Sequence, residues 1–226
     1  MSKLSVIATP IGNLEDITLR ALSVLKAADI ILCEDTRVTK KLLSHFAITT
    51  PTLSFHANSG ASKVKKIVEL LEEGKHLALV TDAGTPGVSD PGGELVGATR
   101  EALGDDVIIE AIPGPSALAA ALSIAGLRVS TFTFYGFLPQ KKGRETLFKT
   151  IATDERTSIF YESPHRIMKA LQSLATQCGE RRIGIYRELT KFHEESRVGT
   201  AGELLAYLEE TPEKQRGEFV VIVEAQ

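Results

Sequence analysis

Four short runs rich in β-branched and aliphatic residues, at positions 4–8, 30–34, 77–81 and 107–112, recur through the first half of the chain, with stretches of helical periodicity between them. Strands that alternate with helices in this way fold as a parallel sheet wrapped by helices. The helical stretches are punctuated to match. Positions 18–28 are amphipathic, 62–73 stop before Gly74, and Asp90-Pro91 predicts an N-cap followed by proline in the first turn. A proline-glycine break, Ile112-Pro113-Gly114-Pro115-Ser116, precedes a small-residue helix over 116–125, and a domain boundary is expected there. Beyond it, strand-like segments at 131–135, 158–161, 183–187 and 219–224 alternate with helices near 144–151, 164–177 and 201–208. The fold class expected is α/β, with one α/β domain over 1–113 and a second over 114–226, whose strand order the pattern leaves open.

At 226 residues, 43% of them hydrophobic and 24% charged, the chain can bury a core and has no bias toward disorder or a fibrous repeat. No apolar run reaches membrane-spanning length, and the opening MSKLSVIATP enters a strand pattern at once instead of a signal-peptide core. A cytoplasmic protein without a membrane partner is expected. Cys33 and Cys178 stand far apart without a Cys-x-x-Cys partner, and the five histidines show no metal spacing, so neither a disulfide framework nor a metal site is indicated. The formal net charge of -3 exerts no global pull on nucleic acid, which leaves any RNA contact to short basic patches.

The stretch most informative about function is Thr81-Asp82-Ala83-Gly84-Thr85-Pro86-Gly87-Val88-Ser89-Asp90-Pro91-Gly92-Gly93, which follows a buried strand and opens a helix. Ligands of open α/β sheets sit outside the carboxyl ends of strands, where glycine lets backbone approach them. A plain strand-to-helix turn needs one glycine or Asn/Asp, whereas this segment has four glycines and two prolines, which favours a binding loop. It is neither Gly-x-Gly-x-x-Gly nor a Walker loop. Ala8-Thr9-Pro10-Ile11-Gly12-Asn13 and Ala111-Ile112-Pro113-Gly114-Pro115-Ser116-Ala117 are further turns at strand ends, each weak alone.

Glu34-Asp35-Thr36-Arg37 puts two carboxylates and a guanidinium at the same edge; a general base and a structural Asp-Arg pair are equally good readings. His56 could contact substrate, although a lone histidine in a polar loop is more often a bystander. Lys141-Lys142-Gly143-Arg144 follows Tyr135-Gly136-Phe137-Leu138-Pro139, a mixture suited to phosphate neutralisation and base stacking, though composition alone favours a solvated loop. Tyr161-Glu162-Ser163-Pro164-His165-Arg166 predicts a proline-started helix whose N-terminus could hold an anion.

Taken in order, ATPIGN, EDTR, DAGTPGVSDPGG, PGPSA, GFLPQKKGR, FYESPHR, RELTK and RGEFVVIVE resemble the tetrapyrrole-methylase fold family, most closely its branch of small-subunit ribosomal RNA methyltransferases. The match spans positions 5 to 224. The resemblance implies S-adenosyl-L-methionine as cofactor, held in a cleft between two α/β domains, a homodimer, and methyl transfer to the ribose 2′-oxygen of a cytidine in 16S ribosomal RNA of the small subunit. It implies cofactor contacts from Pro10, from Ala83, Gly84, Thr85 and Val88, and from Ser116 and Ala117, with the adenine side meeting Tyr161, Glu162 and Leu189.

An acidic proton acceptor is implied at Glu34, with Asp35 as second choice. The in-line displacement itself depends on positioning and requires no metal. Phosphate or substrate contacts are expected from Arg37, His56, Lys141, Lys142, Arg144, Arg166 and Lys191. A methylase of a tetrapyrrole or other small substrate, or a non-catalytic binding module, are the alternatives on the same fold. Two departures from the branch stand out. The loop after Phe55 keeps His56 but lacks a second histidine and following acid. The sequence ends at Gln226, where many members continue into a small helical segment, so RNA docking is expected without that segment.

Overall fold

The computed structural model describes residues 2–226, and the chain forms two compact units that divide between Ser116 and Ala117. The first contains β1 (Ser2–Ile7), α1 (Leu19–Ala27), β2 (Ile30–Cys33), α2 (Thr36–His45), β3 (Thr52–Ser54), α3 (Ala61–Glu72), β4 (His76–Leu79), α4 (Gly92–Leu103) and β5 (Val107–Ile112). Its five strands lie in the order β3-β2-β4-β1-β5, every pair parallel.

Side chains alternate across that sheet with the strand period of two. Ile7, Ile31, Cys33, Ala78 and Val80 pack with Ala21 and Leu25 of α1 and with Leu42 and Leu43 of α2. Leu4, Leu32, Leu77 and Leu79 pack on the opposite side with Ile67 and Leu71 of α3 and Leu95 of α4. Each such buried aliphatic side chain is worth about 1.5–3 kcal/mol, so the two layers fix which strand faces which helix. The chain winds outward through β1, β2 and β3, then reverses through β4 and β5. The neighbours β1 and β4 thus send their helices, α1 and α4, to opposite faces. Their carboxyl ends form the topological switch point, where doubly wound sheets open a crevice.

The second unit contains α5 (Ala117–Ser123), β6 (Phe132–Phe137), α6 (Arg144–Thr153), β7 (Thr157–Glu162), α7 (Ile167–Cys178), β8 (Ile183–Arg187), β9 (Glu195–Gly199), α8 (Ala201–Glu210) and β10 (Phe219–Val223). Its sheet has the order β6-β7-β10-β8-β9, with β6 and β7 parallel and the remaining pairs antiparallel. The central strand β10 is buried along its whole length. Phe160, Ile183, Ile185, Phe219, Val221 and Val223 pack with Phe148, Leu171, Leu174 and Leu204 of the covering helices. The alternate residue Tyr186 is buried too, and its hydroxyl donates to the Ala125 carbonyl at 3.0 Å. Among the described residues no helix is long and apolar enough to cross a membrane.

Several local expectations change. Helix α2, strand β3 and strand β9 were not anticipated. The helix expected to start at Pro164 begins at Ile167, because Ser163 to Arg166 form a turn whose Arg166 amide donates to the Ser163 carbonyl at 3.0 Å. Asp90 does not cap α4 through the third-residue amide. It accepts from Gly87 and Gly92 instead, and Pro91 occupies the cap position.

Candidate functional site

Because the first sheet is wholly parallel, its strands end at one edge, and the loops after β1, β2, β4 and β5 are bonded to one another there. Thr9 donates its amide to the Gly84 carbonyl at 2.9 Å, and Gly84 returns the bond at 3.0 Å. The Thr9 hydroxyl donates to the Thr81 carbonyl at 3.1 Å, and the Thr85 hydroxyl to the Pro115 carbonyl at 3.1 Å. Gly84 sits at φ +85, a conformation open mainly to glycine, and a Cβ there would lie 3.4 Å from Cγ2 of Ile11. The amides of Ala83 and Thr85 are not among those this knot pairs.

The far end of the glycine loop is closed by Asp90, whose Oδ1 accepts from the amides of Gly87 at 2.8 Å and Gly92 at 2.7 Å. A Cβ on Gly92 would come within 2.9 Å of the Gly87 nitrogen, so no other residue fits that turn without moving backbone. Pro10, Ala83, Gly84, Thr85 and Ser116 are thereby brought to one edge of the first unit, with Val88 in the same closed loop. Ala117 opens α5 and belongs to the second unit.

The two carboxylates that end β2 differ in kind. Asp35 is the N-cap of α2: its Oδ1 accepts from the Arg37 amide at 2.8 Å, and its carboxylate also receives the Arg37 guanidinium at 2.7 Å. The side-chain and backbone hydrogen bonds from Arg37 bring its pKa down to about 2, which makes it a poor proton acceptor. Asp35, the second choice for the base, thus serves as a helix cap, and Arg37, expected at the substrate, pairs with it while its side chain stays exposed. Glu34 accepts from the Thr81 hydroxyl at 3.3 Å. Burial first, then the nearby Asp82 carboxylate, pushes its pKa above the ordinary glutamate value, while the Thr81 bond and His56 pull the other way. A carboxylate shifted upward in this way is better matched to taking a proton near neutral pH. Asp82, to which sequence reading gave no role, accepts the Asp35 amide at 3.0 Å and so ties the β2 loop to the glycine loop. Its position directly after the strand ending at the loop was the available signal. His56 is exposed in its loop.

In the second unit the expected basic residues separate into buried and free groups. Glu162 is fully buried, pairing with Arg144 at 2.7 Å and Arg166 at 2.8 Å and accepting from the Ser163 amide at 2.8 Å. Its carboxylate is thus occupied by three protein donors. Arg144 and Arg166, expected at phosphates, also donate to the carbonyls of Pro139 and Leu138. Lys191 is held by Glu188 at 2.9 Å and Glu218 at 2.8 Å, so its charge is compensated. Lys141 and Lys142 are exposed. Tyr161 is partly buried and Leu189 is buried.

The sequence from residue 3 to residue 205 matches the family model described as Tetrapyrrole (Corrin/Porphyrin) Methylases. The chain belongs to the tetrapyrrole methylase family. Among the relatives of this family member, Ribosomal RNA small subunit methyltransferase I of Thermotoga maritima is 42% identical over 99% of this chain and 98% of its own length. The protein of the same name from Synechocystis is 46% identical over 99% of this chain and 79% of its own length. Solved structures share the fold at low identity. Diphthine synthase aligns with a TM-score of 0.72 at 14% identity, over 99% of this chain and 90% of its own. Uroporphyrin-III-C-methyltransferase from Thermus thermophilus aligns with 0.67 at 20%, over 99% and 94%.

Within this tetrapyrrole methylase, the edge at the β1–β4 switch point is where a doubly wound sheet binds its ligand. Gly84 with its positive φ, the backbone fixed by its pairing with Thr9, and the Glu34 carboxylate that follows β2 lie at that edge. These features fit S-adenosyl-L-methionine.

Proposed function

We propose that this chain is an S-adenosyl-L-methionine-dependent methyltransferase of small-subunit ribosomal RNA, acting on the ribose 2′-oxygen of a cytidine in 16S RNA. The observation that carries the reading is identity of 42–46% over nearly the whole chain to proteins named for small-subunit ribosomal RNA methylation. On this reading Pro10, Ala83, Gly84, Thr85, Val88, Ser116 and Ala117 hold the cofactor, with Tyr161 and Leu189 as further contacts.

The bound cofactor supplies an electrophilic methyl group on a sulfonium. The protein's own part is to position and to move one proton. The loops fixed by the Thr9–Gly84 pair define where the acceptor must lie, and an oriented acceptor recovers much of the entropy of a bimolecular step. Glu34 accepts the hydroxyl proton at its carboxylate as the oxygen becomes nucleophilic, and its upward-shifted pKa suits that role. Lys141 and Lys142, together with His56, are the proposed RNA contacts that remain unengaged by buried partners. The protein works as a homodimer in the cytoplasm.

The test is transfer of label from methyl-tritiated cofactor to unmethylated small ribosomal subunits, followed by nuclease digestion. Label recovered as 2′-O-methylcytidine is the expected result. Label entering a tetrapyrrole instead, or cofactor binding without any transfer, overturns the proposal. Sedimentation at twice the 24.4 kDa chain mass checks the dimer.

A further inference from the structure

Strand β6 is an edge strand, and it ends irregularly: its pairing with β7 shifts register between Phe134 and Phe137, and Gly136 takes φ +62. Bulges of this kind re-aim the side chain that follows. Phe137 is left 55% exposed, its ring edge-on to Tyr161 with centroids 5.4 Å apart. Tyr135, the other aromatic beside the basic loop, is directed inward, and its hydroxyl donates to Asp154 at 3.3 Å.

The loop that follows Phe137 is pinned from beneath. Leu138 is buried, its carbonyl accepts from Arg166 at 2.9 Å, and the Pro139 carbonyl accepts from Arg144 at 3.2 Å. Both guanidinium groups are fixed on the buried Glu162 carboxylate. The next residues, Lys141 and Lys142, are exposed, and among the described residues neither forms an ion pair with a carboxylate. An exposed ring therefore stands four and five residues from two uncompensated cations on a preset loop. The more exposed Phe192 lacks this combination, because its neighbouring Lys191 is bound to two carboxylates.

We propose that Phe137 is a base-stacking residue for the RNA substrate, with Lys141 and Lys142 neutralising the phosphates that flank the stacked base. The proposal rests on the RNA reading above and adds to it the residue that engages an unpaired base. Single-stranded RNA is bound by this pairing of an aromatic face with nearby cations. Arg144, Glu162 and Arg166 are positioning residues for that loop, so little ordering entropy remains to be lost when RNA binds.

The experiment measures steady-state methylation of unmethylated small ribosomal subunits by the full chain. Phe137→Ala should raise KM for the subunits by about 5- to 150-fold, the equivalent of one stacked base, and leave kcat and cofactor affinity unchanged. Phe137→Trp should restore the wild-type KM, and Phe137→Leu should not. Lys141→Glu with Lys142→Glu should lower the magnitude of the slope of log affinity against log salt by about 1.4–1.8. An unchanged KM for Phe137→Ala, or full rescue by leucine, overturns stacking. Sedimentation as a monomer by Phe137→Ala alone assigns the ring to a second copy of the chain and overturns it as well. A wild-type protein that transfers no label to RNA sinks the RNA reading itself, an outcome distinct from wild-type transfer with indifferent Phe137 variants.

Discussion

Thr9 and Gly84 face each other across the adjacent ends of β1 and β4 and exchange both backbone hydrogen bonds, at 2.9 and 3.0 Å. These two loops lead to helices on opposite faces of the sheet, so the pair ties them together at the point where the winding reverses. The glycine loop is therefore a fixed wall, and its dimensions follow from backbone geometry more than from side chains.

Gly84→Val tests that wall. The position combines φ +85 with a Cβ site 3.4 Å from Ile11, and a β-branched residue is strained there whatever the space. The variant is expected to lose about 1–3 kcal/mol of stability in denaturant titration. Cofactor affinity measured by calorimetry should fall by roughly tenfold or more, about 1.4 kcal/mol. Wild-type affinity in a folded Gly84→Val protein would place the cofactor elsewhere.

Glu34→Gln separates chemistry from stability. Since burial and Asp82 raise the pKa of Glu34, the folded protein holds this proton more tightly than the unfolded chain does. Stability then falls as pH rises through the window from the unfolded to the folded value, and the cost persists at neutral pH. The variant removes that cost. It is expected to melt at or above the wild-type temperature at neutral pH, with the difference vanishing below the ordinary glutamate pKa of about 4.3. Single-turnover methylation should slow by roughly 10²- to 10⁴-fold with cofactor affinity unchanged. A wild-type rate in the glutamine variant removes Glu34 from catalysis.

Asp35→Ala has the opposite pattern. A carboxyl held down at about 2 by Arg37 stabilises the fold above its unfolded value and loses that contribution as pH falls through the folded one. The melting temperature of wild type should exceed that of Asp35→Ala at pH 6, and the two should converge between about pH 4 and pH 2. Turnover should survive, because the residue caps α2. Loss of turnover with an intact melting curve would return Asp35 to the active site.

The sequence carried the first sheet well where strands were long and aliphatic. Strands β2 and β4 announce themselves because three of their four residues are buried, β1 and the edge strand β5 because their runs are long and rich in β-branched residues, and the turns after them because glycine and proline are needed there. Strand β3 is three residues long, too short for any period, and β9 is an edge strand with the sequence Glu-Ser-Arg-Val-Gly, mostly solvated and without an apolar face. Helix α2 escaped because Asp35, its cap, also reads as half of a catalytic pair. The basic loop shows the same limit at the site: Lys141, Lys142 and Arg144 are equivalent as a charge cluster in sequence. Only the third is turned inward, because its long fork reaches Glu162 from the first position of α6.

That inward turn gives the remaining prediction. The Glu162 side chain has no exposure, and Arg144 and Arg166 converge on it with 11% and 20%. Taking away one member of a buried charge cluster leaves the others uncompensated, which typically costs about 3–5 kcal/mol, so Glu162→Ala should unfold at markedly lower denaturant. Glu162→Gln preserves shape and part of the hydrogen bonding and should fall between the two. If the carboxylate is a clamp, the glutamine variant binds cofactor within about twofold of wild type while its RNA KM rises, because the Leu138 and Pro139 carbonyls lose the arginines that hold them. Should cofactor affinity drop instead, with stability and RNA KM unmoved, Glu162 would belong to the adenine pocket that the family motif implies.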